Sequence, residues 1–112
     1  MHELGIVVGI FDMLDEIMNE QKLTEISKVN ITVGELSGIL PDYFKECWNV
    51  ARLGSTFDKT ELVLTPLPAV AKCTCGEEYE MMKNSRICPA CHKTDYKIIS
   101  GKEFSIDSIE AK

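Results

Sequence analysis

Four of the five cysteines in this 112-residue chain fall inside one short stretch, "CTCGEEYEMMKNSRICPAC". Cys73 and Cys75 form one pair, Cys88 and Cys91 a second, and twelve residues separate the pairs. The stretch is rich in Lys and Glu, so buried free thiols or a redox pair fit it poorly. A metal fits better, because zinc takes four thiolates in a tetrahedron, delivered as two tight pairs from two turns of a small ribbon. The second pair has the usual two-residue gap, with Pro89 shaping the turn. The first pair has one intervening residue. In a regular strand Cys73 and Cys75 would point to opposite faces, so the backbone has to bend there, and Gly76 is placed to help. Cys73 is the ligand this spacing supports least. His92, beside Cys91, is the one substitute, and it is expected to lie exposed next to the site. Cys47 stands apart, on the apolar face of a helix, and reads as a small buried hydrophobe.

The remainder of the chain supplies an ordinary core. Residues 4–20 have helical periodicity, with Leu4, Val7, Val8, Phe11, Leu14 and Met18 on one stripe and Ile6, Ile10, Met13 and Ile17 on a second beside it. An apolar arc this wide needs a second helix or a partner chain as well as a sheet, and a homodimer is one arrangement it allows. Residues 26–35 alternate with period two, Val29, Ile31 and Val33 facing one way and Lys28, Asn30 and Thr32 the other, which predicts a half-buried strand. A glycine-bearing turn comes next, and Pro41 opens a helix over about residues 41–53 that stops at Gly54. "TELVLTPLP" predicts another short strand, kept from a central position by Pro66 and Pro68. "KEFSIDSIE" predicts a last strand with Phe104 and Ile106 inward, its alternation breaking before Ile109.

The order helix, strand, helix, strand, cysteine module, strand predicts an α/β fold. A small three-stranded sheet, mixed or antiparallel, packs with two helices and carries an inserted four-cysteine zinc-ribbon lobe. The expected division is 1–69 with 104–112 as one domain and 70–103 as the zinc lobe, reached through the connections "TPLPAVAKC" and "IISGKEF". Net charge is −6, and eleven of the eighteen acidic side chains but only five of the twelve basic ones precede residue 72. Such a field repels phosphate backbones, so no nucleic-acid partner is expected. No apolar run approaches the ~20 residues of a membrane span, and His2-Glu3 stand where a secretory leader would carry Lys or Arg. The expected setting is cytoplasmic, with no membrane partner.

The amino terminus, "MHE", carries the second chemical signal. A histidine at position 2 permits a chelate that no internal histidine can make. The Met1 α-amine, the backbone amide nitrogen of His2 and the His2 imidazole close fused rings on one metal, and the amide of Glu3 completes a planar set of four nitrogens. Planar nitrogen donors suit Ni(II) or Cu(II) and disfavour tetrahedral zinc. The site requires deprotonated amides, so acid opens it, which suits a protein that passes metal on.

Together these residues resemble the HypA/HybF family of hydrogenase nickel-incorporation proteins. The shared features are "MHELGI", "ITVGELSGILPDYF", the paired cysteines ending in "CPAC", and "SGKEFSIDSIE", spread over essentially the whole chain. The resemblance implies a nickel metallochaperone without catalysis of its own. It would deliver Ni(II) for maturation of [NiFe]-hydrogenase, with a nickel-loading GTPase and the hydrogenase large-subunit precursor as partners. It implies nickel on His2, with the Met1 amine and the Glu3 backbone, and structural zinc on Cys73, Cys75, Cys88 and Cys91. This chain departs from the family at Cys73-Thr74-Cys75, where two intervening residues are usual. Some relatives add an acidic side chain to the nickel site from the turn after the first strand; Asp42 lies near that turn but matches no motif position. Two other readings compete. A zinc-ribbon nucleic-acid module leaves the terminal chelate unused and lacks a cluster of arginine and aromatic residues. A zinc enzyme would need an open position that four thiolates close.

Overall fold

The computed structural model describes residues 3–112, so Met1 and His2 lie outside the described residues. The elements run α1 (Glu3–Gln21), β1 (Ile26–Gly34), α2 (Pro41–Arg52), β2 (Glu61–Leu67), β3 (Val70–Cys73), β4 (Glu78–Glu80), β5 (Tyr96–Ser100) and β6 (Phe104–Ala111). They build two three-stranded sheets, ordered β2-β1-β6 and β4-β3-β5. The Cα radius of gyration is 17.6 Å and the longest extent 54 Å, against about 13 Å for a single compact body of this length. The two sheets therefore sit in tandem rather than sharing one core.

The first sheet is mixed. β1 and β2 are parallel because α2 makes the crossover between them, and β6 returns antiparallel on the other side of β1. Val29, Ile31 and Val33 face the helices and are buried, as their alternation predicts. The opposite face is polar: the Asn30 amide donates to the Ser108 hydroxyl (3.0 Å), the Thr32 hydroxyl donates to the Asp107 carboxylate, and the Lys28 ammonium stands between Glu61 and Glu110. β2 is an edge strand, the position its Pro66 permits.

Both helices cover the apolar face. Pro41 is at the start of α2, whose Phe44, Cys47 and Trp48 are buried, and the chain turns away through Gly54 at a φ of 73°. On α1 the buried line is Glu3, Val7, Ile10 and Leu14, which corrects the face expected from periodicity. Leu4 and Val8 are 53% and 49% exposed. The arc is apolar over such a width that periodicity alone does not locate its centre. The sheet takes the middle of the arc, and α2 covers one flank, where Phe11 sets its ring 4.9 Å from Trp48 and 4.8 Å from Phe57.

The last strand resolves the broken alternation near Ile109. Asn30 pairs with Ser108 and Ile31 with Ile106, leaving Asp107 as a bulge. One extra residue resets the alternation, so Phe104, Ile106 and Ile109 all pack on the core.

The second sheet also needs a correction. The stretches read as connections contain strands: β3 pairs antiparallel with both β4 and β5. It has a small core of its own as well, formed by Ala69, Ala71, Cys73, Tyr79, Met81 and Cys88 with Tyr96 and Ile98 against it. Two of the thiols thus contribute to packing, contrary to the polar reading of that segment. Among the described residues no helix is long and apolar enough to cross a membrane.

Candidate metal centre

Strand β3 ends at Cys73, and the chain enters a tight turn at once. The Gly76 N–H donates to the Cys73 carbonyl (2.9 Å), Gly76 takes a φ of 99°, and the Cys73 N–H donates to the Glu77 carbonyl (2.8 Å). That turn solves the one-residue spacing. Because the chain leaves the strand immediately after Cys73, the Cys75 sulfur swings to the same side instead of the opposite face. The second pair is built alike: the His92 N–H donates to the Cys88 carbonyl (2.8 Å), the Cys88 N–H to the Lys93 carbonyl (3.0 Å), and His92 has a φ of 64°.

The two turns bring the four sulfurs within 4.8 Å of one another. Cys73 and Cys91 are 3.4 Å apart, and Cys75 and Cys88 are 3.7 Å apart. Zinc–sulfur bonds of about 2.3 Å in a tetrahedron require sulfur–sulfur distances of about 3.8 Å, so the donor set fits zinc with only small adjustments. Cys73 and Cys88 are 3% and 0% exposed. Cys91 is half-buried and Cys75 exposed, so the site opens to solvent on one side.

The electrostatics also favour a cation. The Cys73 thiol is lowered to about 6, chiefly by the Cys75 backbone N–H and then, against burial, by the neighbouring thiols. At Cys91 the Lys93 N–H acts in the same direction, but Cys73, burial, Cys75 and Cys88 outweigh it and push the thiol up to about 12. Cys75 is likewise raised, its Glu77 N–H outweighed by Cys73, burial and Cys88. One negative charge is accommodated without metal, and further ones repel it. A dication removes that repulsion.

This has a measurable consequence. Between pH 7 and 8 Cys73 is already ionised, whereas Cys75 and Cys91 still carry protons that metal must displace. Displacing at least two protons should raise zinc affinity about a hundredfold or more per pH unit. Competition against a chromophoric chelator at several pH values checks the slope; a slope near zero would rule out protonated thiols as the competitors.

All four cysteines named from sequence converge, and among the described residues they are the one such cluster of His, Cys, Asp and Glu donors. His92 is exposed and outside it. Cys47 is buried in the first core, apart from the other thiols. His2 and the Met1 amine lie outside the described residues. Glu3, the next residue, opens α1 with its side chain 2% exposed. It lies close enough to Tyr43 to help Cys47, burial and Glu46 raise the phenol, with Cys47 the largest influence. The amino-terminal ends of the two helices thus gather Glu3, Tyr43, Glu46 and Cys47. Sequence reasoning assigns Glu3 a role only through its backbone; its place in the Glu3-Val7-Ile10-Leu14 line is the available sign that its side chain turns inward. Asp42, in the first turn of α2, is exposed.

Comparison with known proteins extends over the whole chain. A family model described as "Hydrogenase/urease nickel incorporation, metallochaperone, hypA" matches residues 1–111. Hydrogenase maturation factor HypA of Caldanaerobacter subterraneus is 35% identical over 114 residues, covering 100% of both chains. That of Aquifex aeolicus is 30% identical over 111 residues, covering 98% of this chain and 96% of the relative. The solution structure of the Ni metallochaperone HypA from Helicobacter pylori matches with a TM-score of 0.65 at 22% identity, over 99% and 97% of the two chains. A second HypA solution structure matches with a TM-score of 0.71 at 21% identity, over 100% and 97%. These two establish a common fold. With the family model and the curated relatives spanning it end to end, the chain belongs to the HypA family of hydrogenase and urease nickel-incorporation metallochaperones.

Proposed function

We propose that this chain binds Ni(II) at its amino terminus and delivers it for maturation of [NiFe]-hydrogenase, while a structural zinc holds the cysteine-bearing ribbon. The nickel ligands are the Met1 α-amine, the His2 amide and imidazole, and the Glu3 amide nitrogen. The zinc ligands are Cys73, Cys75, Cys88 and Cys91. In this reading residues 1–69 and 104–112 are the nickel domain and 70–103 the zinc lobe. The partners are a nickel-loading GTPase and the hydrogenase large-subunit precursor, and the chain performs no catalysis itself. The observation that carries the reading is the end-to-end match to a nickel-incorporation family in a chain that keeps histidine at position 2.

Two chemically different metal sites separate nickel from zinc. Four thiolates favour tetrahedral zinc, and four nitrogens in a plane favour Ni(II). Zinc-loaded protein with an unmodified amino terminus, dialysed against Ni(II) and analysed for metals, should therefore take up about one nickel per chain while keeping its zinc. Nickel gained only at the expense of zinc would place the cargo on the cysteines and overturn the assignment.

A further inference from the structure

The two sheets are joined by two short connections, residues 68–69 and 101–103, and small tandem units joined this way move relative to one another by default. Here the connections do not simply pass between the sheets. They cross the end of β1 at backbone contact. The Gly34 N–H donates to the Glu103 carbonyl at 2.6 Å and the Leu36 N–H to the Gly101 carbonyl at 2.7 Å, while between them the Glu35 N–H extends the β1–β2 ladder to the Leu67 carbonyl at 2.9 Å. The Glu35 carboxylate accepts from the Ala69 N–H at 2.9 Å, and the Ala69 carbonyl accepts from the Met81 N–H beside the second sheet at 2.9 Å. Glu103 turns its carboxylate back onto the Gly101 and Lys102 amides, at 2.8 and 2.9 Å.

Two glycines allow this approach. A Cβ on Gly34 would lie 2.2 Å from the Gly101 carbonyl oxygen, and one on Gly101 would lie 2.5 Å from the Ala69 Cα. Gly101 also has a φ of 109°, a backbone state open to glycine and strained for other residues. Both glycines and Ala69 are buried. By contrast, Gly5 and Gly9 on α1 have nothing within 4 Å of where a Cβ would stand.

We propose that the crossing of Gly34, Ala69 and Gly101, closed by the Glu35 carboxylate, is a weld that holds the two sheets in one fixed orientation. The chain then presents the amino-terminal end of α1 and the four-cysteine cluster as parts of one rigid body. A partner touching both meets a preset spacing and loses no affinity to ordering a flexible joint. The proposal concerns the joint alone and holds whichever metal binds the amino terminus.

Residual dipolar couplings measured on the zinc-loaded full chain test it. One alignment tensor should fit amides of both sheets in the wild type and in Gly9→Ala. In Gly34→Ala the joint fit should be lost while each sheet is still fitted separately. Glu35→Gln, which keeps an acceptor oxygen for Ala69, should behave as wild type, and Glu35→Ala should lower the apparent order of the cysteine-bearing sheet relative to the first. A wild type that needs two tensors would overturn the weld, as would a folded Gly34→Ala that still needs only one. Should Gly34→Ala fail to fold, the Glu35 pair decides: identical behaviour of Glu35→Ala and Glu35→Gln would overturn the proposal.

Discussion

Nickel binding should fall to background in two variants that share no side-chain change, His2→Ala and a protein carrying a peptide tag before Met1. The first removes the imidazole. The second converts the α-amine, a strong nitrogen donor, into an ordinary amide and leaves His2 in place. A site built from internal side chains would lose binding with the first change and keep it with the second. The terminal chelate predicts loss with both, because its fused rings require amine, amide and imidazole in sequence on a planar metal. Retention of Met1 belongs to the expectation, since its removal would make His2 the first residue and alter the ring set. Neither change replaces a residue of the buried line Glu3, Val7, Ile10 and Leu14, so thermal unfolding should be nearly unchanged. Zinc content should also be unchanged, because the cysteines lie in the second sheet and its turns. Nickel titration followed by the absorption of planar Ni(II) reads the result. Full binding by the tagged protein would sink the amine chelate even if His2→Ala failed to bind.

Cys88→Ser should be the most damaging single substitution for the second sheet. The side chain is fully buried, its sulfur faces Cys75 at 3.7 Å, and it belongs to both the metal cluster and the small core. Structural zinc sites contribute about 10–16 kcal/mol to the folding of small metal-dependent peptides, and even outer partners of metal ligands change affinity about 10–100-fold. Loss of a direct ligand should exceed that, lowering zinc affinity by more than about a hundredfold. The amides of β3, β4 and β5 should then lose their NMR dispersion while those of β1, β2 and β6 persist, because the first core contains none of the four clustered thiols. Chelation of zinc from the wild type should give the same pattern. Cys47→Ala is the control. It removes a buried sulfur from the other core and should cost about 1 kcal/mol with zinc retained. Equal zinc loss in the two variants would mean that the cluster does not hold the metal.

Much of this molecule could be read from residue patterns that act locally. The alternation of Val29, Ile31 and Val33 states a half-buried strand because side chains in a strand project to opposite faces, and Pro41 with Gly54 brackets a helix. Local patterns fail in the second sheet. "AVAKC" and "YKIIS" are too short and too mixed to announce strands, and they become β3 and β5 through pairing in the sheet, β3 with both β4 and β5. The partners, such as Val70 with Ser100 and Cys73 with Tyr96, are too far apart along the chain for any local window to contain both.

The sequence by itself determined the chemistry. Four thiols in two close pairs offer a soft-metal donor set, and a histidine at position 2 makes a planar nitrogen chelate available to the proposed function, because both depend on which atoms lie next to each other along the chain. Only the tertiary structure decided where apolar surfaces meet. It selected Val7, Ile10 and Leu14 from the wide arc of α1, and placed the Asp107 bulge that returns Ile109 to the core. It also turned the chain after Cys73 so that a one-residue spacing still brings the Cys75 sulfur into the cluster. The physical reason is the same in each case. Hydrophobic burial is non-directional and many registers satisfy it locally, so the choice falls to whichever packing all the elements can adopt together.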